Sequence, residues 1–138
     1  DPFTLAIVAN SYELLCTAGF PMVYTRALTL ANRADARGAI ITLYDRLIAI
    51  APSTGARIAR AAAFIAADMP ARALSDLREI DAAAVETHQP FWATLAHALA
   101  ACGEAGAARA AFDRAIALAP SAPVAGFLAR RRDLLKGG

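Results

Sequence analysis

The sequence predicts an all-α fold, a right-handed superhelix of antiparallel helix hairpins with about eight helices and a C-terminal capping helix. Three observations carry this. The run Leu43-Tyr44-Asp45-Arg46-Leu47-Ile48-Ala49-Ile50-Ala51-Pro52-Ser53 returns as Ala111-Phe112-Asp113-Arg114-Ala115-Ile116-Ala117-Leu118-Ala119-Pro120-Ser121, with seven of eleven positions identical. The offset from Leu43 to Ala111 is twice the period of roughly 34 residues at which stacked two-helix units repeat. No stretch alternates apolar and polar residues with period two, whereas apolar residues recur at spacings of three and four, so helices are expected and a sheet is not.

The second copy reads as a full unit, residues 89 to 122, closed by Pro120. Trp92 takes the aromatic position of its first helix, Leu95 and Leu99 continue the apolar stripe, and Gly103 sits at the turn. Ala108, Phe112 and Ala115 are the second-helix positions that face the first. This resembles a tetratricopeptide repeat. Moving the frame back by the same offset gives residues 21 to 54, with Tyr24 for Trp92, Tyr44 for Phe112 and Asp35 in place of Gly103. Residues 55 to 88 have the length of a unit without its rhythm. There Ala73, Leu74, Leu77 and Ile80 match the first copy best at an offset of 30, so the middle hairpin is expected to turn early and to be followed by a longer link. The whole chain, 1 to 138, is read as one domain of these three units with a capping helix at about 121 to 136.

Taken in order, residues 3 to 17 suit a helix through Leu5, Val8, Tyr12 and Leu15, which Gly19-Phe20-Pro21 ends. A second helix is expected over about 21 to 34 and a third over about 36 to 51, with Asp35 as N-cap and Gly38 tolerated in the first turn. Ser53 or Thr54 caps a fourth, about 55 to 67. Asp68-Met69-Pro70 opens the fifth, with Asp68 at the cap, and it runs to about Ile80. Asp81 to Thr87 is a short helical turn or an irregular link. The sixth helix spans about 89 to 102 and the seventh about 104 to 119. Ser121 caps the last, which turns Val124, Phe127, Leu128, Leu134 and Leu135 inward and its arginines outward, as the open end of a stacked array requires.

Composition narrows the function. Hydrophobic residues make up 58% of the chain, but alanine dominates them, so the high mean hydropathy reflects helix propensity rather than a membrane. The longest stretch free of charged residues, Thr87 to Gly103, holds two histidines and Pro90, and a spanning helix wants about 20 apolar residues. The net charge is only +2, with both signs interspersed, which excludes the clustered basic face of a nucleic-acid binder. The run Arg130-Arg131-Arg132 reads as a solvated helix end that complements the macrodipole. Cys16 and Cys102 are far apart, have no CxxC or Cys/His ligand spacing, and are expected as packed cytosolic thiols. Asp1-Pro2-Phe3 carries no signal-peptide start, and the missing initiator Met suggests a piece of a longer chain.

No catalytic, cofactor-binding or metal-ligating set stands out. His88 and His97 are the only imidazoles and lie nine residues apart, where a helical metal pair needs three or four. There is no Gly-rich phosphate loop and no HExxH. Asp45-Arg46 and Asp113-Arg114 recur with the repeat, and an active site is rarely written twice, so these are read as exposed or inter-helix charge partners, each worth little. A non-enzymatic protein is expected.

Binding is the remaining option. In such an array the first helix of each unit lines the concave face. The candidate positions are Thr25, Thr29, Asn32 and Arg33, then Ala59, Ala63 and Ala66, then Ala93, His97 and Ala100, with Arg57 and Arg60 as a polar rim for an acidic partner. A clamp for a peptide carboxylate would need several Lys and Asn there, and only Asn32 and Arg33 come near. A floor of alanine lets a partner helix approach closely. Alanine at these places also follows from its abundance and helix propensity alone.

The chain further resembles the C-terminal tetratricopeptide-like extension of a group of bacterial extracytoplasmic-function sigma factors. The similarity rests on the Leu43 to Ser53 run, on Arg57-Ile58-Ala59-Arg60-Ala61, on Ala107-Ala108-Arg109-Ala110-Ala111-Phe112 through Pro120, and on Phe127-Leu128-Ala129-Arg130-Arg131. Ala59 stands where that group tends to have Asn, and His88-Gln89 where it tends to have Tyr-His, so contacts made by those residues are not carried over. The resemblance implies a cytoplasmic regulatory module of transcription initiation. Its partner would be a protein or helical peptide: the sigma regions of its own chain, or RNA polymerase, with no nucleic-acid contact of its own. The alternative is a free-standing scaffold for a peptide or protein unconnected with transcription.

Overall fold

The computed structural model describes residues 34–135. The chain divides into two compact units, Asp1–Arg37 and Gly38–Gly138. Only the opening of one helix represents the first unit among the described residues.

The described residues are all-helical. In chain order the helices are α1 (Ala34–Ile50), α2 (Thr54–Ala66), α3 (Pro70–Arg78), α4 (Ala82–Val85), α5 (Gln89–Ala101), α6 (Ala105–Ala117) and α7 (Ala122–Asp133). The two helices expected before residue 34 lie outside the described residues. Asp35, the expected N-cap, lies inside α1 instead.

The starts and stops have local causes. The Ser53 hydroxyl accepts from the Ala56 amide at 3.1 Å and so caps α2. Pro70, Pro90 and Pro123 fall in the first turns of α3, α5 and α7, where the missing N–H costs nothing. The Asp81 carboxylate accepts from Ala83 N–H at 3.2 Å and starts α4, which resolves the expected link into a single short helix. Ser121 takes the N-cap position of α7 without a side-chain bond.

Two turns are alike. α2 ends with Asp68 in the left-handed region (φ 60°), where Asp68 N–H donates to Ile65 and Met69 N–H to Phe64 at 2.8 Å. α5 ends with Gly103 (φ 81°), where Gly103 N–H donates to Ala100 and Glu104 N–H to Leu99 at 2.9 Å. Both are Schellman closures, which satisfy the last carbonyls of a helix and reverse the chain. Asp68 is therefore not the N-cap of α3: its backbone is committed to ending α2, and Met69 holds the cap position without a side-chain bond. Thr54 and Gln89, Pro70 and Ala105, Asp68 and Gly103 all stand at the same offset in the chain, so the hairpins α2–α3 and α5–α6 begin, turn and resume in step.

The core joins these hairpins. Ile58, Ala61 and Phe64 of α2 meet Ala73, Leu74 and Leu77 of α3, Val85 of α4, and Phe91, Ala96, Ala98 and Leu99 of α5. Ala108, Ala111, Phe112 and Ala115 of α6 and Leu128 of α7 complete it. The spacing 108, 111, 112, 115 is one helical face. Seven of these sixteen residues are alanine, so helices approach closely and the transfer free energy concentrates in a few large side chains, above all Phe64, Phe112, Leu77 and Val85.

The two near-copies share local structure but not surroundings. Each forms the end of a helix followed by Pro-Ser, with the serine as the next N-cap. In the second copy Ala111, Phe112 and Ala115 are buried, partly beneath α7. At the matching places of the first, Leu43 is 67% exposed and Leu47 is also open, and Ile50, the counterpart of half-buried Leu118, is 83% exposed. Among the described residues of α1, Ile41 packs against the core.

Candidate docking face

The expected binding positions fall into three groups. Thr25, Thr29, Asn32 and Arg33 lie outside the described residues. Arg57, Ala59, Arg60, Ala63 and Ala66 are on α2, and Ala93, His97 and Ala100 are on α5. The two helices pack against each other, so the second and third groups belong to one body.

On α2 the expected open floor is largely closed. Ala59 and Ala63 are buried, because a methyl rises so little above the helix barrel that whatever packs beside it covers it. Ala66 and Arg57 are half-buried. Arg60 is engaged within the chain: its Nη1 donates to Asp45 of α1 and its Nε to Asp76 of α3, both at 2.9 Å. An acidic partner would have to displace one of these carboxylates. Arg72 on α3 places its guanidinium 4.5 Å from the Phe64 ring centroid and shields that face of the core.

On α5 the face is more open. Ala93 and Ala100 are half-buried against the core, and His97 stands between them on the same face. The imidazole meets Phe112 edge-on at 5.2 Å and 87°, and Phe127 of α7 lies 6.5 Å away. Burial, and then the Arg131 charge, hold its pKa down at about 4. His97 is thus a neutral aromatic wedge at pH 7.

Behind this face the hairpin is pinned by polar bonds that the sequence does not single out. Trp92 Nε1 donates to the carbonyls of Val85 and Glu86 at 3.1 Å each, and Arg114 Nη2 donates to Glu86 at 3.0 Å. The Arg114 guanidinium lies 5.9 Å from the indole centroid. Trp92, expected as an apolar repeat marker, therefore also ties down α4.

Of the recurring Asp-Arg pairs, the aspartates are the members that pair across helices, while Arg114 donates to the Glu86 carbonyl. Asp45 takes Arg60, and Asp113 takes Arg132 of α7 at 2.6 Å. Arg132 also reaches Asp133 at 3.1 Å, and Arg109 Nη2 donates to the Leu135 carbonyl at 2.7 Å. Arg109, Asp113, Arg132 and Asp133 line a shallow cleft of about 400 Å³ in which each cation already has a partner. Among the described residues no buried polar side chain and no metal-holding cluster of His, Cys, Asp or Glu occurs. No helix there is long and apolar enough to cross a membrane. Cys102 is a free, exposed thiol and not the packed residue expected.

The last helix departs from expectation. Leu128 is buried and Val124 and Leu135 are half-buried, but Phe127 is 49% and Leu134 73% exposed. Leu128 fixes the rotation of α7 by packing on the core, and at about 100° per residue Phe127 and Leu134 then lie well off the buried line. The arginines are not uniformly outward either, since Arg132 turns to Asp113.

Comparison with protein-family models, with curated proteins and with solved structures found no match to this chain.

Proposed function

We propose that this chain is a non-catalytic protein-interaction module, the regulatory tetratricopeptide-like domain of an extracytoplasmic-function sigma factor. Its hairpins stack as a right-handed superhelix, and a helix of the sigma regions or of RNA polymerase docks along α5 over Ala93, His97 and Ala100. The observation that carries the repeat reading is the constant step between hairpins α2–α3 and α5–α6, down to the left-handed residue at each turn. The Leu43 to Ser53 and Ala111 to Ser121 runs support the family reading. The α5 face suits docking because it offers small side chains around an uncharged imidazole, so a partner helix loses little in desolvation.

Control follows by equilibrium. The module holds its helix in one state and releases it in another, and the signal acts by discriminating between them. The test is capture of RNA polymerase by the full-length chain, wild type against Ala100→Arg, with circular dichroism confirming the fold of both. The proposal requires loss of polymerase from the variant. Undiminished capture by a folded variant contradicts it.

A further inference from the structure

The geometry points to a second docking surface on α7, one that takes an acidic amphipathic helix. Phe127 and Leu134 are two of the large apolar side chains that remain exposed, and they stand seven residues apart. At about 100° per residue they lie within roughly 20° of each other around the helix. Arg131 and Arg130 flank that line, one on each side, by about 40–60°. Both arginines are exposed, and neither makes an ion pair among the described residues. The Arg130 guanidinium folds back beside Gly126, 3.5 Å from where a Cβ would stand, and so marks the outer edge of the stripe. Arg131 lies close enough to His97 to oppose its protonation.

An apolar line edged by cations is the complement of a helix with apolar residues at i, i+3 and i+7 and carboxylates on both edges. Arginine and aromatic side chains are the groups that anchor such contacts. A second copy of this chain is a poor occupant, because pairing α7 with itself about a two-fold axis brings four arginines together. This surface assumes nothing about the α5 face.

The probe is a designed helical peptide with leucine at i, i+3 and i+7 and glutamate on both edges, alongside its counterpart with lysine for glutamate. Fluorescence anisotropy with the full 138-residue chain is expected to show the glutamate peptide binding on the order of tenfold more tightly than the lysine peptide. In the Arg130→Glu/Arg131→Glu double variant the order inverts. Phe127→Ala and Leu134→Ala weaken both peptides. Equal affinity for the two peptides, binding of neither, or concentration-dependent dimerisation abolished by Leu134→Glu overturns the proposal. The readout involves neither sigma regions nor polymerase, so it fails or succeeds separately from the α5 test.

Discussion

Phe112 and His97 meet edge to face with Phe127 nearby, and at this contact single side chains from α5, α6 and α7 come together. With so much of the core supplied by methyl groups, Phe112→Ala removes one of the few large buried volumes. It is expected to cost about 3–5 kcal/mol, comparable with the whole stability of a small domain, and thermal unfolding would reveal it as loss of a cooperative transition. His97 gives a pH signature. Its folded pKa of about 4 lies below the ordinary 6.5, so the folded state binds fewer protons than the unfolded one between those values. Its stabilising share is therefore complete above about pH 6.5, falls as pH drops through that window, and levels off below 4. Discounted for the solvent that reaches a half-buried ring, the loss is about 2 kcal/mol. Urea titrations at pH 7 and 4.5 should show it, and His97→Phe, which keeps the aromatic packing, should flatten that part of the profile while carboxylate effects persist. In the sequence His97 is legible only as a face residue, because its burial depends on Phe112 and Phe127 arriving from two other helices.

The helix boundaries are mostly legible, since proline in the first turn, serine at the cap and glycine at the stop act within a few residues of themselves. Asp68 is not. Asp is a common N-cap and precedes Met69-Pro70, yet the Schellman closure of α2 claims its backbone first. That conflict makes a prediction: Asp68→Gly removes the side-chain penalty at φ 60° and should stabilise by roughly 0.5–1 kcal/mol. Gly103→Ala should destabilise by about 1 kcal/mol through backbone strain alone, because no atom lies within 4 Å of the added Cβ. Chemical denaturation of both variants checks the pair. Arg60 spans three helices, but its two arms differ. Asp76 is as sheltered as Arg60 itself, whereas Asp45 is half-exposed. Double-mutant cycles should give about 1 kcal/mol for Arg60 with Asp76 and only a few tenths with Asp45.

Across the molecule, the near-copies in the sequence are Leu43 to Ser53 and Ala111 to Ser121, whereas the hairpins that match in step in the structure are α2–α3 and α5–α6. The copies share helix, proline and cap because those are local. They differ in burial: Ala111 and Ala115 lie in the core, while Leu43 and Leu47 of α1 are exposed. Periodicity specifies where a helix can pack, and only the neighbours decide whether it does. On the candidate face α5 keeps Ala93, His97 and Ala100 half-buried, whereas on α2 Ala59 and Ala63 are covered and Arg60 is bound within the chain. The proposed docking therefore uses the α5 face alone, where a groove along both helices was expected. The most direct test is photo-crosslinking in the full-length chain, with benzoylphenylalanine replacing Ala93 on that face or Ala110 on the exposed side of α6. On the proposed reading, a covalent adduct to RNA polymerase or to sigma regions of the same polypeptide forms from position 93 and none forms from 110. Equal adducts from both positions, or none from 93 in a chain that remains folded, would contradict it.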